Sequence, residues 1–245
     1  MKKTTVLFLL VALAMAVFLS ACATYRTPAG GVDIPAMTDA DIEELLKIEP
    51  ASPFPARVAV ARVQASGYVS RTNRGYGEGR YSIVTTRDIE TESDFERLGR
   101  LVMVGGVAPL NRLLVPTQLD SLKDLRIAAA RLKTDLLLIY SLDTTFNIES
   151  TPLGPLSTIT LGFLPNKEAH VTTTTSGALI DVRTGFVYGV VEATETEQQR
   201  ANIWTSQDAI DESRLRSEKA SFQSFLTEFE KLWKGTVEEY AKKES

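Results

Sequence analysis

The chain holds one cysteine, Cys22, and one histidine, His170. Those two counts bound its chemistry. A Cys/His zinc site cannot be assembled within one copy. A Ser-His-Asp arrangement would need His170, which stands in a polar alternating run beside Thr172, Thr174 and Ser176 and reads as the solvated face of a strand. Glu90 with Glu92, and Asp181 with Glu192, are carboxylate pairs of the type that does general acid–base work on glycans. Acidic residues are common, so such a pair carries weight only with burial or a raised pKa. The Gly67–Gly79 stretch, with Gly67, Gly75, Gly77 and Gly79, lacks the spacing of either phosphate-binding glycine motif. It reads as a mobile or partner-facing surface loop. No catalytic, cofactor-binding or metal-ligating residue is assigned.

Cys22 carries a different chemistry. Lys2 and Lys3 precede an apolar run, Val6–Leu19, and the small residues Ser20 and Ala21 stand directly before the cysteine. That order is an export signal. The run is 14 residues long, short of the roughly 20 that a membrane span needs. The Leu19-Ser20-Ala21-Cys22 ending resembles a bacterial lipoprotein lipobox. The resemblance implies cleavage before Cys22, lipid on its sulfur and an acyl group on its amine. Several acyl chains matter, because each buried methylene contributes about 0.8 kcal/mol and one chain anchors only marginally. Ala23, rather than an aspartate, follows the cysteine, which by resemblance to proteobacterial sorting implies an outer-membrane lipoprotein facing the periplasm.

The elements that follow must make a body for that anchor. Residues 1–21 read as the signal peptide, 22–37 as a lipidated flexible tether with Pro28, Gly30, Gly31 and Pro35, and 38–245 as one α/β domain. Without the leader, 25 basic residues face 31 acidic ones, a net −6, so nothing draws the body to nucleic acid or anionic lipid. Thr38, with Asp41 three residues on, is placed as the cap of a short helix bearing Ile42, Leu45, Leu46 and Ile48. Arg57–Val63 is predicted as a strand buried on both faces, Tyr81–Thr85 as a short strand, Asp88–Leu98 as a helix capped by Asp88 or Thr91, and Leu101–Val104 as a core strand. Asn111–Val115 is placed as a surface strand. Ser121 or Asp120 caps a helix with Leu122, Leu125, Ile127, Ala128, Ala129 and Leu132 on its apolar side. Asp135–Tyr140 is a central strand. Residues 147–166 form a long excursion with an apolar middle. Ala169–Asp181 and Phe186–Thr196 form a hairpin turning at Gly185. A helix from Gln207 to Ala241 closes the chain, with an aromatic stripe of Phe222, Phe225, Phe229 and Trp233 packed on the sheet. Its charged upstream half, Asp208–Ala220, projects or supports an interface.

The fold class is α/β (α+β): a single mixed β-sheet with helices packed on it, a C-terminal hairpin and a long amphipathic helix. Three pieces resemble the envelope fold shared by the curli-secretion lipoprotein, penicillin-binding-protein activator lipoproteins and the TolB amino-terminal domain. They are Ala56-Arg-Val-Ala-Val60 as first strand, Ile127–Tyr140 as helix into central strand, and Asp181–Val187 as hairpin turn. The chain also resembles a group named rhombotarget lipoproteins, without the glycine-rich, apolar, basic tail. The broader resemblance implies a non-enzymatic protein that binds or scaffolds another envelope protein or self-associates. A ring-forming, pore-associated lipoprotein and a glycan-acting hydrolase are the alternatives. Tyr68, Tyr76, Leu161, Phe163 and Leu164 are the partner-contact residues, since aromatic residues suit interfaces.

Overall fold

The structure, a computed structural model, describes residues 42–70, 72–150, 167–201 and 207–241. The leader, Cys22, the tether, the Thr38 cap with Asp41, and Leu161, Phe163 and Leu164 lie outside the described residues.

The elements in chain order are α1 (Ile42–Leu46), β1 (Ala56–Ala65), β2 (Glu78–Gly79), β3 (Tyr81–Val84), α2 (Glu92–Gly99), β4 (Val104–Pro109), β5 (Gln118–Leu119), α3 (Leu122–Arg131), β6 (Leu136–Ser150), β7 (Lys167–Asp181), β8 (Val187–Ala201) and α4 (Gln207–Tyr240). The main sheet runs β3-β1-β6-β7-β8, with β4 also on β1. β6 lies parallel to β1, while β6-β7-β8 is an antiparallel meander. The sheet is mixed, with helices on both faces, as the alternation of elements in the sequence implies. β1 forks: its first half pairs in parallel with β4, and its second half pairs antiparallel with β3.

Each face builds a core. The odd residues of β1, Ala59, Ala61 and Val63, join Leu137 and Ile139 of β6 and Leu125, Ala128 and Ala129 of α3. The even residues Val58 and Val60 join Leu138, Tyr140 and Leu142 of β6 and the aromatic stripe of α4. A two-residue period with both faces covered explains why β1 reads as an unbroken apolar run. Phe222, Phe225, Phe229 and Trp233 follow one another along α4 with centroids 6.1, 6.4 and 6.3 Å apart.

Several sequence expectations are corrected. Leu101–Met103 is a turn rather than a strand: Met103 has φ 64°, and Val102 gives its carbonyl to the Trp233 indole N–H at 2.8 Å. The strand starts at Val104. Asn111–Val115 is a 3₁₀ turn at Arg112–Leu114, because the Asn111 side chain accepts from Leu113 N and offers the backbone a local alternative to a ladder. α2 begins at Glu92, since Thr91 and Asp94 close a capping box. Residues 147–150 continue β6 and pair with 167–170 of β7, instead of opening an excursion. Ile127 is 44% exposed, and Ile42 and Leu46 of α1 are 72% and 80% exposed, so neither helix buries its whole apolar stripe. The upstream half of α4 does not project: Arg214, Ser217, Glu218 and Ser221 are buried.

Candidate functional site

The charged half of α4 and the second half of β1 meet in a buried polar network. Along α4, positions 211, 214, 218, 222, 225, 229 and 233 share one face at three- and four-residue steps. The last four are aromatic and the first three are Asp211, Arg214 and Glu218. The change of chemistry follows the sheet beneath. The aromatic part covers Leu138, Tyr140 and Leu142; the charged part meets the hydroxyls of the β6–β7 extension.

Arg214 is fully buried. Its Nη1 donates to Glu218 Oε2 at 2.6 Å, its Nε to Asp211 Oδ1 at 3.0 Å and its Nη2 to Thr72 Oγ1 at 3.3 Å. Thr144, opposite Thr173 in the ladder, donates to Glu218 Oε1 at 3.1 Å. Ser217 donates to the Val171 carbonyl, Ser221 donates to the Ala193 carbonyl, and the Ser221 and Thr175 hydroxyls lie 2.7 Å apart. Burial pushes the Glu218 carboxyl above its ordinary range, with Arg214 and Arg62 pulling the other way.

Thr72 links this cluster to a second one by donating to Asp88 Oδ2 at 2.9 Å. Arg62, on the α4 side of β1, donates through Nη1 to Asp88 Oδ1 at 2.9 Å and faces Glu90 Oε1 at 3.5 Å. Its Nη2 stands 3.5 Å from the Tyr68 hydroxyl. The Tyr140 hydroxyl donates to Glu90 Oε1. Burial lowers the Arg62 pKa, but Glu90 and Asp88 raise it by more, so the guanidinium is held charged. Burial raises Tyr140 well above the phenol range, and Glu90 adds to the rise. Two guanidiniums thus face four carboxylates across β1, β6, α4 and two loops. At the end of β1, Arg62 Nε and the side-chain amides of Gln64 and Asn73 are buried without a hydrogen-bond partner.

At the fork where β3 and β4 part from β1, a cavity of about 90 Å³ opens onto Arg62, Glu90 and Tyr140. Val60, Val84, Phe95 and Leu110 are among its apolar walls, and Thr86 and Arg87 stand at its exposed rim. Arg87 lies over the Phe95 ring at 4.6 Å and pairs with Glu92 at 2.8 Å.

The residues singled out in the sequence fall as follows. Tyr68 is only 4% exposed and contributes its hydroxyl to the Arg62 cluster, so it is not a surface contact. The polar network it joins explains why an aromatic residue in a glycine-rich loop is drawn inside. Tyr76 is half-buried, packs on the α3-side core and bridges Ile83 through its backbone. Glu90 and Glu92 do not act as a pair: Glu90 is buried with Tyr140, and Glu92 is exposed with Arg87. Asp181 and Glu192 are apart too, since Glu192 pairs with Ser176, five residues up β7, about 17 Å along an extended strand. His170 is half-exposed on the Thr172–Thr174 side. Among the described residues no group of three or more His, Cys, Asp or Glu side chains is placed to hold a metal ion, and no helix is long and apolar enough to cross a membrane. The sequence reading missed Arg62, Tyr140, Arg214 and Glu218. A lone arginine inside an apolar strand, and serines at 213, 217 and 221 continuing an aromatic stripe, were the available signals.

The fold and the network define a mixed-sheet α/β body cross-linked through buried ion pairs. No family model matches the chain, and no curated protein matches it, so neither comparison carries the likeness to curli-secretion or TolB-type proteins. Among solved structures, the crystal structure of protein XCC0632 from Xanthomonas campestris, of the family model DUF330, is similar at 12% sequence identity and a TM-score of 0.30. The match covers 77% of this chain and 93% of that one. At that score it carries no argument about fold or function.

Proposed function

We propose that the chain is a lipid-anchored envelope protein whose body binds or scaffolds another envelope component without catalysing a reaction. The observation that carries the anchor is Leu19-Ser20-Ala21-Cys22 behind an apolar run and two lysines. The body adds support of another kind. Its buried charges are spent joining elements: Arg62 ties β1 to the loop before α2, and Arg214 ties α4 to the Thr72 loop. Such groups position surfaces, and the carboxylate pairs offered for acid–base chemistry stand apart. Ala23 after the cysteine favours the outer membrane.

The test is fractionation of cells expressing the native chain and a Cys22→Ala form, with mass spectrometry of the purified native protein. The acylated amino terminus begins at residue 22, and the variant leaves the membrane fraction. An intact leader, or full membrane retention of the variant, overturns the anchor. Crosslinking in intact cells then reports the envelope component held by the body.

A further inference from the structure

The first element of the body exposes its apolar face. α1 has no buried residue. Ile42, Leu45 and Leu46, at the i, i+3 and i+4 spacing of one helix face, are 72%, 42% and 80% exposed. Apolar residues gathered on one face mark a contact surface, whereas scattered ones need no explanation. The residues that follow fix where this face lies. Ala51 N and Ser52 Oγ donate to Asp181 Oδ2, each at 2.8 Å, and the Phe54 ring lies 5.9 Å from Trp233. Asp181 stands opposite Leu136 at the start of β6, and Ala56 stands opposite Val104 at the start of β4. α1 ends five residues before Ala51, so it belongs to the end of the sheet where β1, β4 and β6 begin. Val102, 77% exposed and two residues before β4, stands at that end too.

The order of the chain argues for what covers this face. Cys22 lies 20 residues before Ile42, so α1 is the described element nearest to a lipid on that cysteine. Tethering raises the effective concentration of a weak contact without any new affinity. A second copy fits less well: three side chains on a five-residue helix fall far short of the roughly 800 Å² per partner of a stable interface. A bilayer asks for no matching shape, because apolar side chains enter the headgroup boundary while charged ones stay in water. Exposed charges of both signs stand at this end, Arg57 and Arg183 against Glu44 and Glu49, so the contact does not require anionic lipid.

We propose that this end of the body docks on the bilayer that holds the Cys22 lipid, with Ile42, Leu45, Leu46 and Val102 entering the headgroup boundary of zwitterionic lipid. The docking rests on the anchor reading and adds an orientation to it: the far ends of β6, β7 and β8 point away from the lipid.

The test is fluorescence quenching of the purified full-length acylated chain in phosphatidylethanolamine–phosphatidylcholine vesicles. Cys22 is the only cysteine, so once its sulfur is acylated an introduced cysteine is the one free thiol to label. An environment-sensitive dye is placed on Leu46→Cys, on Val102→Cys and, as a control, on Val69→Cys. Val69 is 49% exposed just past the other end of β1. Lipids carrying a nitroxide below the headgroup should quench the dyes at 46 and 102 at least about twofold more than the dye at 69. All three side chains are exposed, so labelling does not threaten the fold. Ile42→Glu with Leu45→Glu, added to the Val102→Cys chain, should lower quenching at 102 while the chain stays with the vesicles. Equal quenching at 46 and 69 in a chain shown by mass spectrometry to be acylated overturns the docking and leaves the anchor. Energy transfer between copies labelled at 46, in place of lipid quenching, means that a second copy covers the face and also overturns it. An unacylated Cys22 overturns the anchor and the docking together.

Discussion

Phe225 sits directly on Gly177. A Cβ at position 177 would stand 2.7 Å from the Phe225 Cζ and 2.7 Å from the Ile139 carbonyl oxygen, closer than real Cβ contacts come. The missing side chain is therefore what lets the aromatic stripe of α4 reach the sheet. Gly177→Ala is expected to cost about 1–3 kcal/mol, the range for overpacking a tight core. Urea unfolding checks it, read as a lower midpoint at unchanged slope. Phe225→Leu in the Gly177→Ala background should recover part of the loss, a coupling that a double-mutant cycle measures.

Gly189 offers a contrast. The three atoms nearest an added Cβ there all belong to the Leu232 side chain, whose far end can turn away. Gly189→Ala should cost less than Gly177→Ala in the same urea experiment. Equal costs would mean that α4 is held more rigidly over β8 than this packing implies.

Arg214 is a buried cation between Asp211 and Glu218. Arg214→Met strands both carboxylates and should destabilise by about 3–5 kcal/mol. Replacing Asp211, Arg214 and Glu218 together by apolar residues of similar volume should recover most of that loss, since a whole buried ion group is often dispensable. Hydrogen exchange along residues 211–221 localises the effect: protection falls there first in Arg214→Met and is kept over 222–233.

Asp181 predicts an acid-side loss of stability. Burial alone would raise its pKa, but the N–H groups of Thr184, Ala51 and Arg183 and the Ser52 hydroxyl outweigh burial and hold it below the ordinary carboxylate value. A depressed folded pKa means fewer protons bound in the folded state. The stabilisation is present above the unfolded value of 3.8 and is lost as pH falls through the lower folded value. Asp181→Asn should flatten stability against pH in that window, measured by urea midpoints below pH 4 or so.

Glu218 has the opposite sign. Its folded value is raised above 4.5 by burial, so its contribution is complete below that pH and declines as pH rises through the folded value. In Glu218→Gln this decline should vanish from urea midpoints measured above pH 4.5, while the Asp181 slope on the acid side stays.

The strands and helices were legible where a period was strong. β1, α3, the Gly185 turn and the aromatic half of α4 follow from apolar spacing and cap residues in the sequence. The charged half of α4 was not, because Asp211, Arg214 and Glu218 look like a solvated face until the hydroxyls of β6 and β7 are brought under them. Tyr68 misled for the same reason: a tyrosine among glycines signals a surface until a buried guanidinium claims its hydroxyl.

The sequence alone determined the mixed α/β class, the single cysteine behind two lysines and an apolar run, and the face of α4 that packs, since these depend on composition and on neighbours a few residues apart. Tertiary structure decided which charges lie inside. Arg62 and Glu90 are 28 positions apart, and Thr72 and Arg214 are 142 apart. Whether such groups are solvated or paired in a low-dielectric interior depends on distances that no local pattern encodes.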